Sequence, residues 1–152
     1  MLRYVWILAS ALHISGCTSV PQASGARDAE AKQFYTQPAT AGIYVYRADF
    51  GYGATPAESV LWLDARLIGS TLPRTFFRLD AQPGKRVLHG DGHDTGRLVV
   101  DTKAGELYFV SVSVQGGISY FTQVPAETGK REILRCCAMM ENWTPGQRPL
   151  LR

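Results

Sequence analysis

From Gly42 onward the chain is a succession of short apolar runs in which large side chains recur at every second position and turn residues close each run. A period of two marks strands with one face toward a core and one toward solvent. Val110, Val112 and Val114 alternating with Ser111 and Ser113 form the clearest case. The other runs are Ile43-Tyr44-Val45-Tyr46-Arg47, Val60-Leu61-Trp62-Leu63-Asp64, Leu67-Ile68-Gly69, Thr75-Phe76-Phe77-Arg78-Leu79, Lys85-Arg86-Val87-Leu88-His89, Arg97-Leu98-Val99-Val100-Asp101 and Ile118-Ser119-Tyr120-Phe121-Thr122. Asp64-Ala65-Arg66 and Gly116-Gly117 are tight turns, and Gln82-Pro83-Gly84 suits a type II turn, with Pro presetting one central residue and Gly accepting positive φ at the next. No helical stretch long enough for a crossover separates the runs. The pattern therefore predicts an all-β fold, an antiparallel β-sandwich of about seven to eight short strands over 41–142, with a partly open barrel as the alternative.

The pattern changes at both ends. Residues 1–16 carry one early cation, Arg3, then a mostly apolar run interrupted by His13, then small residues, which is the layout of a cleaved signal peptide. The run is too short to cross a bilayer, which takes about 20 residues. Ile14-Ser15-Gly16-Cys17 matches a bacterial lipobox, which makes Cys17 the expected lipidation site. Thr18, where Asp would signal retention at the inner membrane, points to the outer membrane. Residues 17–40 read as the lipidated N-terminus and a flexible tether, with a short helix over 26–35 and Phe34 and Tyr35 as docking residues. Its coil span would be on the order of 25 Å. After Val124 a short helix starts near Ala126, with Ile133, Leu134 and Cys137 expected inward and Gly129 weakening its first turns. Residues 143–152 read as an irregular tail.

Composition narrows this picture only slightly. Of 152 residues 45% are hydrophobic and 19% charged, with 15 Gly and 8 Pro, which disfavours helical bundles and suits one strand-rich domain. The formal charge of +3, lowered by one when Arg3 is removed with the signal, is spread along the chain and excludes a dedicated nucleic-acid surface.

Ile43 to Arg47, the aromatic Gly-containing loop after it, Val60 to Asp64 with Leu67-Ile68-Gly69, Phe76-Phe77-Arg78-Leu79 leading to Pro83-Gly84-Lys85, Val100-Asp101 and Ala104-Gly105-Glu106-Leu107-Tyr108-Phe109 together resemble domain-of-unknown-function family 2846. The likeness spans about residues 41–137. It implies a small bacterial envelope lipoprotein and supplies no catalytic residues. The Pro83-Gly84 turn is also similar to those of carbohydrate- or surface-associated PEGA-type sandwiches, a likeness of fold alone.

Three constellations bear on chemistry. His89, Asp91, His93 and Asp94 crowd one short Gly-containing segment and form a candidate site for Zn, Ni or Cu, although the spacing fits no helical metal motif and suits a polar turn better. Cys136 and Cys137, next to Met139 and Met140, would suit a soft ion. Adjacent residues project about 100° apart on a helix and oppositely on a strand, however, so a buried thiol beside an exposed one, or a disulfide to another chain, is expected. Tyr44, Tyr46, Phe50 and Tyr52 are a candidate stacking surface for a glycan or peptide, with core and rim packing as the more ordinary role. Ser111, Ser113 and Ser119 read as solvent-facing. No nucleophile elbow, phosphate loop or dinucleotide fingerprint is present. The expectation is a lipid-anchored, non-enzymatic envelope protein that requires no cofactor. It would sit on the periplasmic side of the outer membrane and have an envelope protein or glycan as partner. A metal-binding lipoprotein is the second reading and an envelope hydrolase the third.

Overall fold

The computed structural model describes residues 21–48 and 59–142. Cys17, Phe50, Tyr52 and the tail 143–152 lie outside the described residues. Among the described residues nine strands and two helices follow in chain order: α1 (Gly25–Ala31), β1 (Ala41–Arg47), β2 (Ser59–Leu63), β3 (Arg66–Thr71), β4 (Thr75–Ala81), β5 (Gly84–His89), β6 (Arg97–Thr102), β7 (Leu107–Gln115), β8 (Ile118–Val124), α2 (Ala126–Cys136) and β9 (Ala138–Met139). The fold is mostly β, with a five-stranded sheet ordered β8-β7-β1-β4-β9 facing a four-stranded sheet ordered β3-β2-β5-β6.

All eight expected strands form, and the local turns do what their residues dictate. Asp64, at φ 54, begins the two-residue link that pairs β2 with β3. Gly116 and Gly117, at φ 57 and 80, make the β7–β8 hairpin, since both central residues of such a turn need positive φ. Two expectations change. Pro83-Gly84 does not close a hairpin, because β4 and β5 belong to different sheets and the turn carries the chain from one to the other. The pairing is also not wholly antiparallel: β1 lies parallel to β7 and β4 parallel to β9. Both parallel pairs join segments far apart in sequence, which turn signals cannot report.

Between the sheets, Ile43, Val45, Leu61, Ile68, Phe77, Leu79, Leu88, Val100, Val110, Val112 and Val114 form the main core. The five-stranded sheet has a second apolar face. Tyr44, Tyr46, Phe76 and Phe109 point away from the sandwich and are covered by Ala31 of α1, Ile133 of α2, Cys137 and Met139. β1 is consequently buried at every position.

The segment expected to be a flexible tether is, from Pro21 on, part of this second layer. Ala23 N–H donates to Met139 O, Met139 N–H to the Asp28 carboxylate, and the Tyr44 hydroxyl to Ala31 O at the end of α1. A seven-residue helix has little stability alone, so these bonds and Phe34 hold it in place. Phe34 adopts φ 55, uncommon for a bulky residue, and its ring packs against Tyr44 and Phe109 with centroids 5.2 and 5.8 Å away.

In α2, Gly129 is where the helix comes closest to the sheet: a Cβ there would fall on the Phe109 side chain, well inside van der Waals contact. Phe109 is itself held between Phe34 and the stacked Tyr44 ring. Gly129→Ala sets a helix-propensity gain of about 1 kcal/mol against overpacking of about 1–3 kcal/mol. Because Phe109 has no room to give, the variant is expected to be less stable by up to about 2 kcal/mol, read as a lower urea midpoint at unchanged slope. A gain in midpoint would show that α2 stands off the sheet.

Candidate functional site

The His/Asp segment is a structural clasp. It forms the loop between β5 and β6, where the edges of the two sheets approach each other. The Asp94 carboxylate accepts bonds from Ser59 Oγ at 2.9 Å, Ser119 Oγ at 2.5 Å, Ser119 N–H at 2.8 Å and Gly96 N–H at 2.9 Å. The Ser59 and Ser119 hydroxyl oxygens also touch one another. One side chain thus ties the loop to β2 in one sheet and β8 in the other. Gly90 and Gly96 permit the approach, since a Cβ on either would collide, with Asp94 and with the Ser119 carbonyl respectively. Burial alone would push the Asp94 carboxyl up, but the bonds from Ser119, Gly96 and Ser59 outweigh it and hold it below the ordinary carboxylate range.

The other members of the segment do not converge with Asp94. His89 stacks on Trp62, its cross-strand neighbour, with centroids 6.0 Å apart and planes 9° from parallel. Its Nδ1 and Nε2 face the carbonyl oxygens of Gly90 and Asp64 at 2.6 and 2.9 Å. Asp91 and His93 are exposed. Among the described residues no three His, Cys, Asp or Glu side chains gather as a metal-binding group. Ser119, read as solvent-facing, is 1% exposed; its partner Asp94 lies 25 positions away, so a local pattern gave no warning.

Tyr44 and Tyr46 present no ring to solvent, at 0% and 1% exposure. Burial pushes the Tyr44 hydroxyl up to about 12, against a smaller downward pull from Arg78. Burial, and then the bond donated to Glu132 at 2.5 Å, raise Tyr46 as well. Both hydroxyls fasten helices to the sheet.

Cys136 and Cys137 form a vicinal disulfide, where separate thiols or a bond to another chain were expected. The expectation assumed that both residues share one regular element. Instead Cys136 ends α2 and Cys137 is extended, at φ −118 and ψ 139, so the switch from helix to strand falls between them and redirects the second side chain. Met139 shares the cluster of the cysteines, whereas Met140 is buried in the opposite core between the sheets.

Among the described residues a groove of about 630 Å³ opens on the helical layer. Lys32 and Phe34, just after α1, form one wall; Lys130, Arg131, Leu134 and Arg135 of α2 form the other, with Glu127 at one end. Lys32 pairs with Asp28 at 2.7 Å and Lys130 with Glu127 at 3.2 Å. Arg131 and Arg135 have no carboxylate partner among the described residues. Leu134, expected inward, is 59% exposed, because Gly129 and Ile133 take the inward direction one turn apart and leave it on the flank. The spacing of Gly129 and Ile133 was a readable signal for this register.

The chain is 29% identical to an uncharacterized protein of Haemophilus influenzae over 84% of its own length and 78% of that protein's. No protein-family model and no solved structure matches it.

Asp94→Ala should lower stability by about 2–4 kcal/mol at neutral pH, since it strands Ser59 and Ser119 in a buried site. A carboxyl held low when folded contributes stability above its unfolded value and loses it as pH falls through the folded one. The gap in urea midpoint between wild type and variant should therefore narrow as the pH is taken below the ordinary carboxylate range; a gap independent of pH would remove the charged clasp. For the cysteines, alkylation of denatured, unreduced chain should leave Cys136 and Cys137 unmodified and reduction should expose both.

Proposed function

We propose that the chain is a lipid-anchored, non-enzymatic structural or interaction module of a bacterial envelope, held on the periplasmic face of the outer membrane and engaging envelope protein or glycan. The observation that carries this reading is Ile14-Ser15-Gly16-Cys17 directly after an apolar run headed by Arg3, with Thr18 following. The resemblance to family 2846 agrees with it, and so does the similarity to a bacterial protein. The groups that would suggest chemistry are engaged in holding the fold: Asp94 in the clasp, His89 against backbone carbonyls, and Tyr44 and Tyr46 beneath the helices. Two facing sheets, read as a β-sandwich, serve as a rigid scaffold for the surfaces the module presents.

The anchor predicts that cells fed an alkyne-tagged palmitate label the wild-type chain and not Cys17→Ser. Wild type should also partition into the detergent phase after Triton X-114 separation. Equal labelling of the two chains would remove the foundation of the reading.

A further inference from the structure

We infer that the groove between α1 and α2 is a docking face for an anionic phospholipid bilayer; this rests on the anchor proposed above and adds which face of the domain meets the membrane. The outward stripe of α2 is Glu127, Arg131, Leu134 and Arg135, at helical spacing. It sets a large exposed apolar side chain beside two arginines that no carboxylate neutralises among the described residues. That is the composition of a helix lying in a membrane interface: the leucine enters the headgroup boundary while the long cations reach phosphates beside it. Tyr35, 68% exposed just after Phe34, adds an amphipathic ring near the same wall.

The position of the anchor selects this face. Cys17 precedes Pro21 by four residues, which span at most about 14 Å. Pro21 is fixed at the edge of the helical layer, its carbonyl accepting from Glu141 N–H, and Arg27 of α1 pairs with the Glu141 carboxylate. A lipid on Cys17 therefore holds the domain against the bilayer by that layer's edge, not on a long tether. On the opposite face of the molecule, the outer side of the four-stranded sheet, Lys85 lies across from Asp101 and Arg97 across from His89, so its cations are interspersed with a carboxylate. Each arginine near an anionic surface is worth roughly fivefold in the docking equilibrium.

The test uses the full lipidated chain in nanodiscs of phosphatidylglycerol or of phosphatidylcholine, each doped with a nitroxide-labelled lipid. Methyl signals of Leu134 are expected to broaden in phosphatidylglycerol and not in phosphatidylcholine. Val99, 49% exposed on the far sheet, serves as control and should stay sharp in both. High salt, and separately Arg131→Gln with Arg135→Gln, should restore the Leu134 signal while the chain still co-elutes with the discs. Sharp Leu134 signals in phosphatidylglycerol, or broadening of Leu134 and Val99 alike, would overturn the docking face and leave the anchor standing. Failure to co-elute with phosphatidylcholine discs would instead overturn the anchor, and charge-dependent co-elution with phosphatidylglycerol alone would then carry the docking face.

Discussion

The burial of β1 on both sides organises the molecule. Ile43 and Val45 belong to the core between the sheets, Tyr44 and Tyr46 to the opposite face, and a strand with large side chains in both directions needs two covers. The four-stranded sheet supplies one. The other comes from α1 and from the contiguous pair α2 and β9, two segments far apart in sequence that meet over this sheet. The two tyrosine hydroxyls reach the helices that cover them, one at a backbone carbonyl of α1 and one at a carboxylate of α2. Each buried polar group is thereby satisfied by the same contact that excludes water from the ring.

That requirement extends the domain toward its N-terminus. A segment of Ser, Pro, Gln, Ala and Gly has too little apolar surface to fold alone, yet α1 contributes Ala31 and its flanking Phe34 to an aromatic face that would otherwise be wet. Its order is conferred by the sheet. For the lipid proposed on Cys17 the consequence is geometric: four residues, rather than a long coil, separate that position from Pro21.

The strands and their turns were legible in the sequence because period-two alternation and the dipeptides between the runs are local properties. Ser111 and Ser113 against Val110 and Val112 announce the facing of β7 without reference to any other segment. What was illegible depends on partners. The parallel pairing of β1 with β7 and the transfer of the chain between sheets at Pro83-Gly84 are settled by which sheet each strand joins, and a turn motif is silent on that. Asp94 reads as one member of a His/Asp cluster because its neighbours in sequence are His93 and Asp91, whereas its hydrogen bonds come from Ser59 and Ser119. The cysteines were misjudged for a different reason. Rules for adjacent side chains hold within an element, and Cys136 and Cys137 straddle the end of one.

The same dependence gives α2 its character. Phe109 fills the space under the helix so completely that only glycine fits at position 129, and Ile133 packs one turn later on the same side. With that direction fixed, the helical repeat leaves Arg131, Leu134 and Arg135 outward whatever their hydrophobicity. Leu134 is thus exposed because of the packing beneath the helix, and burying it would require rotating α2 about its axis and driving Gly129 off Phe109. Replacing it with a polar residue would cost the core nothing, so the apolar character at this point of the surface is separable from the stability of the fold. The groove's apolar centre and cationic margin are thus set by the register that the aromatic face of the sheet imposes.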